Sequence, residues 1–292
     1  MRDDTAVRAE VPEDLLEMVE ALLPGVSLDS ARLAGHGNVH HVVLLPGVAA
    51  VRISRRRLAA EDLPRRMDVL RAIAGAGLPF AVPEPLTPVM RFGDRAAAAV
   101  SWIGGAGWPP GTGDPKRIGE LLGALRELPL TPELTSVLTV PDRLGWAEIL
   151  EHEVLPRLPR GWRDDGRRRL DRALALEPVP ATLVHADLGA ENVHWHEDGT
   201  LAGVLDWDLA TTFDPAIDAA CMAWHGWENV RRAVDGTTYR RARVWDGLFG
   251  VEHLVAVLAG KPLAHHVDSY VKHVVGWLER NGAGTRGGSG EG

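Results

Sequence analysis

Leu183-Val184-His185-Ala186-Asp187-Leu188-Gly189-Ala190-Glu191-Asn192-Val193-His194-Trp195-His196-Glu197-Asp198-Gly199-Thr200-Leu201-Ala202-Gly203-Val204-Leu205-Asp206-Trp207-Asp208 decides the reading of this 292-residue chain. Thr182-Leu183-Val184 is apolar and partly β-branched, so it predicts a short strand leading into the polar segment. Asn192–Glu197 and Thr200–Leu205 predict two further strands, joined by Asp198-Gly199 as a two-residue hairpin turn. Such a hairpin sets Asn192 at the start of one arm beside Asp206 at the end of the other.

The polar residues form the pattern His185-x-Asp187-x4-Asn192, and Asp206 follows fourteen residues after Asn192. This spacing matches the catalytic loop and later metal-binding Asp of kinases that transfer the γ-phosphate of a nucleotide. Asp187 is the candidate catalytic residue, orienting or deprotonating an acceptor hydroxyl. Asn192 and Asp206 are the candidate Mg2+ ligands, because that ion takes hard oxygens, few protein carboxylates and nucleotide phosphates. A polar turn carrying these residues by chance explains the loop, but not the hairpin that ends on a second Asp.

Composition narrows the class. Hydrophobic residues make up 45% and charged residues 25%, as in globular proteins, and the length allows two lobes with cores. The single cysteine, Cys221, excludes an internal disulfide framework and a Cys-rich metal site. Apolar runs fall short of the ~20 residues of a membrane helix, and the N-terminus lacks signal-peptide character. A cytoplasmic location and no membrane partner are therefore expected. A net charge of −8 argues against a nucleic-acid partner and suits a cationic small-molecule acceptor, although it also serves solubility.

Upstream, residues 11–24 predict an amphipathic helix with acids in its first turn. Residues 27–34, 39–45 and 48–54 predict strands, with Gly35, Gly37 and Asn38 in a glycine loop between the first two. Glycines there would let backbone N–H groups approach phosphates. His40 and His41 point to opposite faces of the sheet, so they do not form one metal site. A helix is expected over 64–76 with Pro64 in its first turn. Strands follow at about 88–92 and 95–103, and the backbone of Ser101, Trp102 and Ile103 is expected to meet a nucleotide base.

Gly104–Gly113 reads as an interlobe linker. Helices are then expected over 114–128, 142–157, 163–176, 238–259 and 262–280, with another starting at Asp214-Pro215. Residues 1–103 form the expected nucleotide-binding lobe, 104–113 the linker, 114–281 the catalytic and acceptor-binding lobe, and 282–292 a disordered tail.

One expected part is missing. Kinase-like sites place a Lys on the third strand and pair it with a Glu on the following helix. The lysines here are Lys116, Lys261 and Lys272, leaving 29 arginines among the 32 basic residues. Arg52 is the substitute, since its planar fork suits phosphate oxygens, with a solvated strand arginine as the alternative. The helix presents Arg66 where a Glu is usual, and Glu61 and Asp62 are the nearest acids that could reach Arg52.

The order of parts resembles the aminoglycoside phosphotransferase superfamily, which includes choline and homoserine kinase-like enzymes. The resemblance is carried by Gly35–His41, Val51–Ile53, Asp68–Ile73, Val184–Asn192, Val204–Asp208 and Asp214-Pro215-Ala216-Ile217-Asp218. It implies an α+β, bilobal protein-kinase-like fold with a small antiparallel-sheet N-lobe and a larger, mainly helical C-lobe. It further implies Mg2+, ATP or GTP as donor, a small-molecule hydroxyl as acceptor, and a stabilising role for Asp218. Details of the first lobe look closest to phosphotransferases that inactivate viomycin and capreomycin: the His40-His41-Val42-Val43 strand, the 66–72 helix and the missing Lys–Glu pair. An antibiotic kinase is the reading adopted; a metabolic kinase for an amino alcohol or sugar, and a regulatory pseudokinase, are the alternatives. Glu151, Glu153, Asp164, Asp165 and Glu228 are candidate contacts for a cationic acceptor, with Trp224 and Trp227 as flat surfaces.

Overall fold

A computed structural model describes residues 11–35, 39–138, 147–189, 191–259 and 264–282. Its first part is a five-stranded antiparallel sheet of β1 (Arg32–Leu33), β2 (His40–Leu45), β3 (Ala49–Ser54), β4 (Met90–Phe92) and β5 (Arg95–Ser101). The strand order is β1-β2-β3-β5-β4. β1 is much shorter than the strand expected over 27–34. Ser27 and Asp29 hydrogen-bond to each other instead, and such local side-chain bonds divert the chain from a ladder.

Both faces of this sheet are covered, which explains the run of alanines in β5. Helix α1 (Glu13–Leu22) lays Leu15, Val19 and Leu22 against Val43, Leu45, Val51, Ile53, Ala97 and Ala99. Helix α2 (Arg57–Ala74) covers Ala96, Ala98 and Val100 on the other face. Alternate residues of a strand point to opposite faces, so small side chains let both helices approach closely.

α2 begins about two turns before its expected start, and Pro64 lies inside it. A proline there removes one hydrogen bond and costs about 3 kcal/mol in an isolated helix. The apolar stripe Ala60, Leu63, Met67, Leu70 and Ile73 is fully buried or nearly so and runs unbroken through the proline. Burial of that stripe outweighs the lost bond, at roughly 1.5–3 kcal/mol per large side chain.

The second part is mainly helical: α3 (Pro115–Glu127), α4 (Pro132–Val137), α5 (Arg160–Leu174), α6 (Ala216–Cys221), α7 (Trp227–Ala233), α8 (Gly236–Ala259) and α9 (Ala264–Gly282). Asp114 caps α3 by accepting the Lys116 N–H at 2.8 Å, with Pro115 in the first turn. The helix expected over 142–157 is irregular, with a π turn at Leu150–Val154 and a 3-10 turn at Leu155–Arg157. Pro156 lacks the N–H that would continue regular bonding, and residues 142–146 lie outside the described residues. Beyond Gly282, which closes α9, the expected tail also lies outside them.

Four short strands complete the fold: β6 (Thr182–Val184), β7 (Val193–Trp195), β8 (Leu201–Val204) and β9 (Thr211–Phe213). β6 pairs with β9, and β7 with β8. The loop of the β7–β8 hairpin is wider than the two-residue turn expected. A turn over His196–Gly199 is closed by the Gly199 N–H on the His196 carbonyl at 2.9 Å, with Gly199 at φ +79°. Asp198 accepts from both the backbone and hydroxyl of Thr200, which ties the loop tip. Among the described residues, no helix is long and apolar enough to cross a membrane.

Candidate active site

The segment after β6 is fastened from beneath by α6. Asp218 is almost fully buried and accepts the N–H of His185 at 2.9 Å on one oxygen and that of Ala186 at 2.8 Å on the other. Ala186 sits at φ +65°, in the left-handed region that costs a side-chain-bearing residue, and this double anchor holds it there. Burial pushes the Asp218 carboxyl up to about 7, although the two N–H donors oppose the shift.

His185 is fully buried and acts as a bracket. Its Nε2 meets the Leu205 carbonyl at 2.7 Å, and its Nδ1 meets the Asp187 N–H at 3.2 Å. A carbonyl only accepts and an amide N–H only donates, so the ring is neutral with its proton on Nε2. Burial lowers its pKa to about 4, in keeping with that state. Trp207 packs edge-on against the ring at 4.7 Å between centroids.

The hairpin delivers the second half of the site. Val193 pairs with Val204, and one position further the Leu205 N–H donates to the Asn192 carbonyl at 2.7 Å. Asn192 and Asp206 therefore flank the same end of the hairpin, as the turn signal predicts. Asp206 leaves the strand in a left-handed conformation (φ +53°, ψ +68°), and its side chain is half exposed. The Asn192 amide donates to the Asp187 carbonyl at 2.8 Å and to its carboxylate at 3.1 Å.

These groups carry unneutralised acid. Asp187 opens to solvent yet is crowded by protein, and desolvation, then the charge of Asp206, pushes its carboxyl up to about 6. Asp206 is also raised, by burial and by Asp208, against the pull of Arg52 and Arg66. The Arg52 Nη2 lies 3.7 Å from Asp206, too far for a direct hydrogen bond. Among the described residues, no group of three His, Cys, Asp or Glu could hold a metal by itself. One carboxylate, one amide oxygen and an outside phosphate form the donor set that Mg2+ accepts, so Asn192 and Asp206 fit such an ion.

Arg52 is not a solvated strand arginine. It is buried on the α2 face of β3, where its Nη2 donates to His40 Nδ1 at 3.2 Å and to Asp208 Oδ2. Arg66 of α2 donates to the same Asp208 oxygen and, through Nε, to Asp62 at 2.7 Å. Glu61 pairs with Arg57 at the surface, and Asp62 binds Arg65 and Arg66, so neither contacts Arg52. Burial alone would raise Asp208, but Arg52 and Arg66 hold it down to about 2. Strand alternation along 200–205 gives Asp208 no role. Its partners lie 142 and 156 residues away, and no local pattern marks them.

The model of the phosphotransferase enzyme family matches residues 8–250, more than half of the chain. The chain belongs to that family. It is 32% identical over 260 residues to the viomycin phosphotransferase of Streptomyces vinaceus, covering 81% of this chain and 90% of that protein. A mutant aminoglycoside 2'-phosphotransferase-IIIa solved with GDP superposes at a TM-score of 0.77 and 18% identity, covering 94% of this chain and 98% of that one. Macrolide 2'-phosphotransferase type I gives a TM-score of 0.69 at 18% identity, covering 90% and 98%. These likenesses show the bilobal, kinase-like α+β fold.

Other expected positions of this phosphotransferase divide by whether their polar groups are already engaged. Gly35 has open space where a Cβ would stand, while Gly37 and Asn38 lie outside the described residues. The Ser101 N–H donates to the Glu84 carbonyl at 2.8 Å and its hydroxyl accepts the Glu84 N–H at 2.9 Å, so the N–H is engaged while the hydroxyl keeps its own proton to donate. The N–H groups of Trp102 and Ile103 have no partner among the described residues. Beyond them the linker is pinned to the hairpin: Ala106 exchanges two backbone bonds with Trp195, and Trp108 stacks on the Trp195 ring at 3.9 Å. Gly105 lies at φ +81°, and a Cβ there would come within 2.6 Å of the Trp195 carbonyl.

The acids proposed for a cationic acceptor mostly have arginine partners. Glu151 pairs with Arg167, Asp165 with Arg168 and Arg169, and Glu228 with Arg231. The last two sets are spaced i,i+3 or i,i+4, a signal already visible in the sequence. Trp227 is partly buried, with the Arg243 guanidinium 4.3 Å from its ring centre. Trp224 differs: its ring is exposed, and its Nε1 donates to the Trp108 carbonyl of the linker at 3.2 Å.

Proposed function

We propose that this phosphotransferase moves the γ-phosphate of ATP or GTP onto a hydroxyl of a cationic antibiotic, a viomycin- or capreomycin-type peptide or an aminoglycoside. The observation that carries the chemistry is Asp187, its backbone held by His185 and its carboxylate by Asn192, beside the carboxylate of Asp206 and the amide oxygen of Asn192, which suit a divalent cation. The 32% identity to a viomycin phosphotransferase supports the acceptor class.

In this reading residues 1–103 form the nucleotide lobe, 104–113 the linker and 114–281 the catalytic and acceptor lobe. Asn192 and Asp206 would hold Mg2+, which would supply positive charge to offset that of the donor phosphates. Arg52 faces the phosphates from β3, with Gly35, Gly37 and Asn38 covering them. The Trp102–Ile103 backbone takes the base. Asp187 accepts the hydrogen bond of the acceptor hydroxyl and takes its proton as the oxygen bonds to the γ-phosphorus and the bond from that phosphorus to the β–γ bridging oxygen breaks, releasing the nucleoside diphosphate. Such transfer depends on positioning and charge stabilisation, so no protein nucleophile is required. A nucleotide-dependent enzyme of this kind works in the cytoplasm, where its donor is supplied.

The test is a panel of viomycin, capreomycin, aminoglycosides, choline and simple sugars, each incubated with Mg2+ and ATP or GTP. A phosphate-sized mass gain on the peptide antibiotics or aminoglycosides is expected. Gain confined to choline or a sugar would replace the antibiotic acceptor. Nucleotide binding with no phosphorylated product would leave a binding module.

A further inference from the structure

We propose that Asp208 is a positioning residue that latches Arg52 and Arg66 of the small lobe to the larger one, assembling the phosphate-facing guanidinium only when the lobes meet. This deepens the nucleotide-binding reading above and rests on it.

Three observations carry the inference. Arg52 on β3 and Arg66 on α2 both donate to one oxygen of Asp208, which follows β8 in the catalytic half of the molecule. All three side chains are largely shielded, at 10%, 16% and 14% exposure, so water replaces this contact poorly. The small-lobe acids that could have held Arg52 bind elsewhere, Glu61 to Arg57 and Asp62 to Arg65 and Arg66.

The logic differs from a Lys–Glu pair within one lobe. Such a pair keeps its strand cation oriented at any angle between the lobes. Here the carboxylate comes from the opposite side of the cleft, so separating the lobes would remove the carboxylate hydrogen-bonded to Arg52. His40 Nδ1 would remain as a neutral partner of Arg52, and Asp62 as a partner of Arg66. The cation is then oriented by closure itself, and nucleotide binding and lobe approach favour each other.

The experiment measures Mg2+–ADP affinity by titration calorimetry, together with KM and kcat for the nucleotide donor. Wild type, Asp208→Asn, Asp208→Glu, Arg66→Gln and the Asp208→Asn/Arg66→Gln double variant are compared, with circular dichroism confirming the fold. Asp208→Asn is expected to weaken nucleotide binding at least 10-fold and raise KM more than it lowers kcat. Arg66→Gln, confined to the small lobe, is expected to do the same and tests the contact even if Asp208→Asn fails to fold. The double variant should be no weaker than the worse single one, and Asp208→Glu should recover most of the affinity. Nucleotide affinity within 2-fold of wild type in Asp208→Asn or in Arg66→Gln, or fully additive losses in the double variant, overturns the latch while leaving phosphotransfer intact. A wild type that binds no nucleotide overturns the phosphotransfer reading, and the latch with it.

Discussion

The Asn192 side-chain amide donates to both the main-chain carbonyl and the carboxylate of Asp187, at 2.8 and 3.1 Å. The residue proposed to hold the metal thus also orients the residue proposed to meet the acceptor. Asp187→Asn keeps that geometry but removes the proton acceptor. A loss of about 10²–10⁴ in kcat is expected, as for removal of a general base. Nucleotide affinity should stay within a few-fold of wild type, and single-turnover kinetics with calorimetry separate the two effects.

The raised Asp187 carboxyl, at about 6, gives a pH limb with a definite sign. The ionised form accepts the hydroxyl proton, so kcat/KM for the acceptor should fall as pH drops below about 6. Bound Mg2+ favours the anion and should move the limb to lower pH. Profiles at low and saturating Mg2+ check this; a limb that does not move removes the coupling between Asp187 and the metal residues.

Asp206→Asn removes a charge from the acid pair while keeping the side-chain shape. Desolvation still raises Asp187, but the Asp206 contribution to that shift disappears. The Mg2+ concentration giving half-maximal activity should rise at least 10-fold. Activity measured across a Mg2+ titration decides the matter, and an unchanged midpoint would take Asp206 out of the metal set.

His185 links pH to stability. Its pKa is depressed to about 4 by burial, so the neutral ring favours the fold. Sign follows from linkage: the contribution is present above the ordinary value near 6.5 and is lost as pH falls through about 4. His185→Gln keeps a donor for the Leu205 carbonyl but does not titrate. The stability advantage of wild type over His185→Gln should therefore shrink between pH 7 and pH 4, by up to about 3 kcal/mol for a shift of this size. Urea melts of both proteins across that range provide the check.

What could be read from the sequence was what the chain builds locally. The β7–β8 hairpin, its flanking Asn192 and Asp206, and the capped start of α3 all follow from neighbouring residues. Pro64 misled because a proline usually opens a helix, whereas here a long-range apolar stripe carries α2 through it. Asp208 stayed without a role because its partners come from β3 and α2. The arginines that neutralise Asp165 and Glu228 were legible in the i,i+3 and i,i+4 spacing, and that signal should lower the weight given to exposed helix acids as ligand contacts. Sequence marks the strand leading to the linker, but not that the Glu84 carbonyl engages the N–H of Ser101.

The tie between Ala106, Trp108 and Trp195 alters what the glycine-rich connection can do mechanically. Its later half travels with the hairpin as one body, so the pivot between the two halves is compressed into the few residues before Ala106. Chain length there is a tuned quantity, and the turn after Trp108 is tied down as well, by the Gly111 N–H on the Trp224 carbonyl at 2.8 Å and by His225 Nδ1 at the Thr112 carbonyl at 2.9 Å. A two-residue insertion after Gly104 should therefore displace the nucleotide half relative to Asp206 and abolish transfer.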